Sequence, residues 1–238
     1  IAAEKAAIIK HNTPCVVSQQ EPEASAVITE AAAEKSAPLF RHSQEWYVSQ
    51  DNNVLQYRSS AQEYSLPLPH LPGAHQIINA GAAIACAEQL HEYNLTEEHI
   101  AHGLTHAYWP GRLQQLPPNA FATHHEVWLD GGHNPAAGAA LATTLKTWHP
   151  TPTYLITSML EDKDYQAFLN PLIPHAKALY AVPIPAGEAH IPPHALADYA
   201  TTQGATAHTA ADIHAAITAI NQAATTPTRI LICGSLYL

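Results

Sequence analysis

The stretch EVWLDGGHNP, residues 126–135, combines an apolar run, a carboxylate, two glycines, an imidazole and an Asn-Pro pair. Asn is a favoured N-cap and Pro is favoured at the first helical position, so an alanine-rich helix is predicted to begin at Pro135. Asp130 and His133 are therefore expected at the carboxyl end of a strand, beside a helix N-terminus. Ligands bind at that end of an α/β sheet, and the helix dipole there favours anions such as phosphate.

The pattern downstream of this stretch alternates between strand and helix. Apolar runs predict strands at 126–129, 153–157, 178–182 and 229–233. Helices are predicted to begin near residues 135, 164, 193 and 210, and the Ala- and Thr-rich region 195–224 is interpreted as helical. Such alternation predicts an α/β fold with a mostly parallel sheet.

Upstream of residue 109 the pattern is different. A strand is predicted at 14–18 and an amphipathic helix at 21–36, followed by a meander of strands at 46–48, 54–58 and 63–68. The Pro-rich segment 66–73 is interpreted as a linker, and helices are predicted at 74–93 and 96–106. The sequence WPGR, residues 109–112, interrupts this pattern and marks the predicted domain boundary.

The composition excludes some functions. A formal net charge of −10 with only 10 Lys and Arg argues against a nucleic-acid partner, because phosphate contacts need clustered cations. No apolar run reaches membrane-spanning length, so no membrane partner is expected. Three widely spaced cysteines indicate reduced thiols and a cytoplasmic location. Because the chain begins at Ile1 and not at Met, an upstream segment is not excluded.

Three segments together carry a family resemblance. WPGRLQ at 109–114 is similar to the Trp-Pro-Gly-Arg segment of folylpolyglutamate and dihydrofolate synthases, DGGHNP at 130–135 resembles their Asp-Gly-Ala-His-Asn-Pro motif, and IAAEKAAIIK at 1–10 resembles their Ile-Ala-x-Glu-Lys-Ala-Gly-Ile segment. Weaker matches are DKD at 162–164 and CGSLY at 233–237. The order and spacing fit over essentially the whole chain.

This resemblance to the Mur ligase superfamily implies a reaction and a domain plan. Members use ATP to convert a carboxylate to an acyl phosphate, which the amine of glutamate then attacks. The family has a P-loop ATPase domain followed by a smaller Rossmann-like domain, with ATP between them. Residues 1–108 would be the rest of the ATPase domain and residues 109–238 the glutamate ligase domain. The implied cofactors are ATP and Mg²⁺, the implied substrates are a folate or dihydropteroate and L-glutamate, and the full-length protein is expected to be a monomer.

The family's P-loop has no counterpart in the sequence. No Gly-x-x-x-x-Gly-Lys-Ser/Thr occurs, and no glycine is followed by lysine. We therefore expect the chain to be a fragment that is inactive alone, with the ligase activity belonging to the parent enzyme.

For the first part of the chain, the resemblance implies two site residues. Lys5 matches a lysine that is carbamylated in the superfamily and helps to hold Mg²⁺, whereas spacing alone favours a surface lysine in a Glu-Lys pair. Asn79 lies on the helix whose asparagine reads the adenine edge, and it should share a face with Gln76. The alternative is that both amides are solvated surface groups.

For the second part of the chain, the resemblance implies nucleotide contacts by three residues. Arg112 would bind phosphate oxygens, and Asp130 would accept hydrogen bonds from the ribose or orient a metal-bound water. His133 would contact the phosphates and act in catalysis by balancing the charge that develops on the transferred group. The alternatives are a surface arginine, a turn aspartate that caps the helix, and a loop histidine.

Two further residues are candidates for binding the incoming glutamate, Lys163 and Ser235. Because Asp162 and Asp164 flank Lys163, a surface ion-pair cluster is the alternative there. A zinc site at His124, His125 and His133 is not expected, since the spacing matches no usual zinc motif.

Three functions follow from this sequence. The first is an ATP-dependent ligase that adds glutamate to dihydropteroate or to a folate. The second is a cell-wall ligase of the Mur type, which usually has lysine where His133 lies. The third is a non-catalytic Rossmann-like nucleotide-binding module, which the missing P-loop supports. A P-loop and a downstream His metal ligand encoded upstream of Ile1 would exclude it.

Overall fold

The computed structural model describes residues 1–118, 122, 124–185 and 189–238, and it divides into two compact units, Ile1–Tyr108 and Trp109–Leu238. In the first unit the helices are α1 (Ala2–Ala6), α2 (Pro22–Glu34), α3 (His75–Glu88) and α4 (Glu97–His106), with a 3₁₀ turn at His91–Tyr93. Its strands are β1 (Cys15–Val17), β2 (Leu39–Arg41), β3 (Trp46–Asp51), β4 (Val54–Ser59) and β5 (Glu63–Pro67).

The first unit has two small sheets. Strands β3, β4 and β5 form the predicted antiparallel meander, and α3 packs against it around the buried Trp46 and Ile84. Strands β1 and β2 pair in parallel across α2, as a strand–helix–strand crossover requires. The three-residue strand β2 was not predicted, because so short a run carries no periodic signal.

Two helix ends in the first unit can be compared with the sequence. Thr96 caps α4 as predicted, its hydroxyl accepting the amide hydrogen of His99 at 3.4 Å. The predicted helix 74–93 is wrong in its length, because α3 ends at Glu88. Asn94 has a φ of 48°, and a 3₁₀ turn precedes it, so the chain changes direction before α4 begins.

The second unit is an α/β layer structure. Its helices are α5 (Pro135–Thr147), α6 (Tyr165–Leu169), α7 (Pro193–Thr202) and α8 (Ile213–Ala223), with a 3₁₀ turn at Ile173–His175. Its strands are β6 (Gln114–Leu116), β7 (Glu126–Asp130), β8 (Thr153–Thr157), β9 (Ala178–Ala181), β10 (Ala207–Thr209) and β11 (Arg229–Cys233). The strand order is β10-β9-β8-β11-β7-β6, and only β6 is antiparallel to its neighbour.

Crossover direction decides which face of this sheet each helix covers. The connections from β7 to β8, β9 and β10 advance one way along the sheet, and the connection to β11 returns the other way. Because such crossovers are right-handed, α5, α6 and α7 lie on one face of the sheet and α8 lies on the other. The cores agree: alternate residues such as Leu155 pack with α5 to α7, whereas Ile156 packs with α8.

The four strands predicted for this unit are confirmed, and two shorter strands were missed. The interpretation of 195–224 as all helix is wrong, because β10 lies between α7 and α8. Both β6 and β10 are three-residue edge strands with exposed positions, so tertiary pairing and not local pattern produces them. All three cysteines are free thiols, as expected.

Candidate functional site

The strand register brings three chain segments to one edge of the sheet in the second unit. Cys233, at the end of β11, pairs with Asp130 on one side and with Thr157 on the other. The segments that follow these strands, 131–134, 158–164 and 234–235, therefore leave the sheet side by side. In a parallel sheet this carboxyl edge is where ligands bind.

Asp130 connects this edge to the segment that begins the unit. Its carboxylate is buried, with Oδ1 accepting the amide hydrogen of Gly132 at 2.7 Å and Oδ2 accepting that of Leu113 at 2.9 Å. The amide of Gly131 donates to the carbonyl oxygen of Gly111 at 2.7 Å. These bonds hold Arg112 beside the 130–133 turn, although the two segments are far apart in sequence.

The Arg112 segment has an unusual backbone. Leu113 has a φ of 43° although its side chain is buried, and Gly111 has a φ of 67°. A bulky residue in the left-handed region costs about 1–3 kcal/mol and persists only where the surroundings hold it. Arg112 itself is exposed, and in the described part of the chain no hydrogen bond or ion pair engages its guanidinium. That group is therefore available to an anionic ligand.

His133 is fixed by its own turn. Nδ1 lies 2.8 Å from the carbonyl oxygen of Gly131, and because a carbonyl only accepts, Nδ1 carries the proton. Nε2 is then the nitrogen left for a ligand of this half-buried ring.

The cap of α5 completes the turn as predicted. Asn134 Oδ1 accepts the amide hydrogen of Ala137 at 2.9 Å, and Pro135 occupies the first helical position. The helix packs closely on α6, since a Cβ at Gly138 would lie 2.3 Å from the carbonyl oxygen of Phe168. Its N-terminus is thereby held at the carboxyl edge, where its dipole favours an anion.

Lys163 lies on the segment after β8 and is engaged locally. Its ammonium lies 2.7 Å from Asp162, and its side chain is largely covered. Hydrogen bonding to Lys163 lowers the pKa of Asp162. The ion pair that the sequence offered as the alternative is thus present, on the same edge as His133.

Ser235 lies next to the 130–133 turn. It is buried, its Oγ accepts the amide hydrogen of Tyr237 at 3.1 Å, and the neighbouring Gly234 amide donates to the carbonyl oxygen of Gly132 at 3.1 Å. Gly234 has a φ of 104°, and a Cβ there would lie 2.4 Å from the carbonyl oxygen of Ser158, so glycine is required.

In the first unit, Gln76 and Asn79 share one face of α3 as predicted. Asn79 Nδ2 donates to Gln76 Oε1 at 3.0 Å. Both line a cavity of about 390 Å³ whose other walls are mostly apolar side chains of α3 and α4. An amide pair in the wall of an apolar cavity can hydrogen-bond to the edge of a flat base, and the adenine role of Asn79 stays a prediction.

Lys5 is on the surface of the first unit. Its ammonium is 2.8 Å from Glu4, and the two side chains are 73% and 70% exposed. Across the described residues, no group of three or more His, Cys, Asp or Glu side chains is placed to hold a metal ion. The histidines 124 and 125 precede β7 whereas His133 follows it, so they lie at opposite ends of that strand.

Two features of the site were not anticipated from sequence. The positive φ of Leu113 has no sequence signal, because leucine rarely adopts that conformation. Leu236, in the CGSLY segment, lies over two glycines of the site, Gly111 and Gly131. The sequence of that segment indicated only Ser235 as a candidate.

The second unit is thus an α/β domain with polar groups gathered at the carboxyl edge of a mostly parallel sheet, which is the edge where domains of this class bind ligands. Residues 111–236 match the glutamate ligase domain of the Mur ligases, and the chain belongs to that family.

Three known proteins are similar to the chain. The dihydrofolate synthase/folylpolyglutamate synthase of Bacillus subtilis is 33% identical over 190 residues, which are 76% of this chain and 43% of that protein. The folylpolyglutamate synthase of Mycobacterium tuberculosis, solved with ADP, superposes with a TM-score of 0.85 at 26% identity, covering 99% of this chain and 56% of that one. The bifunctional enzyme of Yersinia pestis, solved with AMPPNP and Mn ion, gives a TM-score of 0.82 at 28% identity, covering 99% and 53%.

The chain therefore spans about half the length of the relatives that it matches. Among the described residues, no helix is both long and apolar enough to cross a membrane.

Proposed function

We propose that this chain is part of an ATP-dependent ligase that adds L-glutamate to dihydropteroate, to a reduced folate, or to both, through an acyl phosphate. The observation that carries the proposal is the gathering of Arg112, His133, Lys163 and Ser235 at one sheet edge of a Mur ligase domain. Superposition on folylpolyglutamate synthases over nearly the whole chain supports it.

In this proposal the residues around the 130–133 turn bind the nucleotide. Arg112 offers a planar fork of donors to phosphate oxygens, and it is exposed. His133 presents Nε2, and the N-terminus of α5 adds a positive dipole beside it. Asp130 has a second lone pair on each oxygen for a ribose hydroxyl or a water, beyond the two amides that it already binds. Phosphoryl transfer needs mainly positioning and charge stabilisation, which fixed groups of this kind provide.

The glutamate would be held on the same edge. Lys163 supplies a cation for one of its carboxylates once Asp162 is displaced, and Ser235 supplies a hydroxyl. The amine of a glutamate held there would be close to an acyl phosphate formed at the Arg112 segment. Holding the two reactants together makes the attack of the amine on the acyl phosphate effectively unimolecular.

For the first unit we propose that residues 1–108 are the remainder of the central ATPase domain and residues 109–238 the glutamate ligase domain. Asn79 and Gln76 would read the adenine. Lys5 as a carbamate would contribute oxygen ligands to Mg²⁺, which would neutralise charge on the transferred phosphoryl group. We further propose a monomeric cytoplasmic enzyme.

The test uses the complete product of the gene that encodes this chain. ADP release is measured with ATP, L-glutamate and either dihydropteroate or a reduced folate, and we expect release that depends on both glutamate and one acceptor. No ADP with either acceptor would reject the folate assignment. Release with a cell-wall precursor in their place would instead support the other Mur-type activity.

A further inference from the structure

Leu236 is a surface residue whose side chain nevertheless lies on the backbone of two loops. It is 65% exposed. A Cβ at Gly131 would lie 2.2 Å from Leu236 Cδ2, and a Cβ at Gly111 would lie 3.0 Å from the same atom. The isobutyl group therefore occupies the space that side chains at these two positions would fill.

The two glycines that Leu236 covers join the proposed nucleotide-contacting residues. The Gly131 amide donates to the Gly111 carbonyl at 2.7 Å, beside Arg112. The Gly131 carbonyl accepts the Nδ1 hydrogen of His133 at 2.8 Å. One peptide segment thus fixes both the Arg112 backbone and the His133 ring, and an apolar cover reduces the access of competing water to these bonds.

Leu236 is itself anchored to the site. The Gly234 amide donates to the Gly132 carbonyl at 3.1 Å, and the Tyr237 amide donates to Ser235 Oγ at 3.1 Å. The first bond joins the 234–237 turn to the 130–133 turn and the second closes the 234–237 turn itself, so the leucine is held over the glycines.

We propose that Leu236 is a positioning residue that holds the Gly111 and Gly131 backbones together and so sets the placement of Arg112 and His133. The expected effect of Leu236 on nucleotide binding rests on the proposed function, whereas its effect on the Gly111 and Gly131 backbones does not depend on it.

The first test is Leu236→Ala in the complete gene product, followed by hydrogen exchange of the peptide that contains Gly131. We expect exchange at this segment to become about tenfold faster, because local opening then exposes the Gly131–Gly111 bond. Leu90→Ala is the matched control, since Leu90 is also an exposed leucine, at 45%, but lies in the first unit. Unchanged exchange at Gly131 in Leu236→Ala would overturn the proposal.

The second test is the pair Gly131→Ala and Gly131→Ala/Leu236→Ala. Gly131 is not among the positive-φ glycines, and a new Cβ would meet only side-chain atoms of Leu236, which is 65% exposed and has solvent to turn into, so the alanine should fold with the leucine displaced. We expect Gly131→Ala to accelerate exchange much as Leu236→Ala does, and the double variant to resemble Leu236→Ala alone. Additive effects of the two substitutions would mean that they act independently and would contradict the proposal.

The nucleotide readout separates this inference from the proposed function. If both hold, Leu236→Ala weakens ATP binding about five- to tenfold by calorimetry while Leu90→Ala does not, since a misplaced site loses pre-organisation. Failure of the unaltered protein to bind ATP would reject the proposed function, and the exchange data would still decide the role of Leu236. Normal ATP binding by Leu236→Ala would show that Leu236 does not influence nucleotide binding through Arg112 and His133.

Discussion

Asp130 Oδ2 accepts the amide hydrogen of Leu113 at 2.9 Å, and Leu113 is held in the left-handed region with a φ of 43°. The carboxylate at the end of one strand thereby holds an unfavourable conformation 17 residues earlier in the chain. Arg112 is the residue next to that conformation, so the exposed guanidinium is presented by a loop that the buried carboxylate stabilises.

Replacement of Asp130 should affect both stability and nucleotide use. In Asp130→Ala two backbone amides lose a charged acceptor, and we expect the free energy of unfolding to fall by about 2–3 kcal/mol. In Asp130→Asn one oxygen remains, and the loss should be smaller. Chemical denaturation measures the first effect and ADP release the second, which should fall in both variants. Equal stability of Asp130→Ala and the unaltered protein would mean that the two hydrogen bonds do not hold the loop.

Replacement of Arg112 should affect nucleotide binding but not stability. Because no described residue pairs with its guanidinium, Arg112→Ala should leave the melting temperature within about 2 °C of the parent. Nucleotide affinity should nevertheless fall about tenfold or more through loss of a charged phosphate contact. Arg58→Ala, at an exposed arginine over Tyr47 in the first unit, is the control. Unchanged ATP kinetics in Arg112→Ala would remove this residue from the site.

The caps of two helices in the second unit offer a matched comparison. Asn134 caps α5 through the Ala137 amide at 2.9 Å, and Asp212 caps α8 through the Ala215 amide at 2.7 Å. Each change to alanine should cost about 1 kcal/mol of stability by denaturation. Only Asn134→Ala should also weaken ATP binding, since only α5 begins at the 130–133 turn. Equal binding losses in the two variants would indicate a general stability effect.

An ion pair in the first unit gives stability a dependence on pH. Arg41 bonds Glu45 through two nitrogens, Nη2 to Oε1 at 2.7 Å and Nε to Oε2 at 3.0 Å, and this lowers the pKa of Glu45. A lowered folded-state pKa stabilises the fold above the ordinary glutamate pKa, and the contribution is lost as pH falls through the folded value.

Glu45→Gln should therefore cost at most about 1 kcal/mol at pH 7, because the pair is partly exposed. The difference from the parent should begin to shrink as the pH falls below the ordinary glutamate pKa of about 4.3, and it should vanish as the pH passes through the lowered folded-state pKa. Urea titrations at several pH values measure this. A difference that stays constant down to pH 3 would show that the charge of Glu45 is not responsible.

The sequence alone determined the strand–helix alternation of the second unit, because β8, β9 and β11 are continuous buried, mostly apolar runs and each helix carries its own cap or Pro signal. The residues at the carboxyl edge followed from the same reasoning, since polar groups after parallel strands must meet there. Local pattern also predicted the meander of the first unit, whose three strands are separated by polar turns.

Only the tertiary structure decided which distant segments hold these residues in place. The short strands β6 and β10 exist because the sheet offers them a partner, and their own residues carry little preference. The strained Leu113, the carboxylate of Asp130 that holds it, and Leu236 over the two glycines are relations between segments far apart in the chain. Sequence periodicity indicates only which face of its own helix or strand a residue occupies. Contacts between distant segments therefore follow only from the folded structure, in which the strands are paired in register.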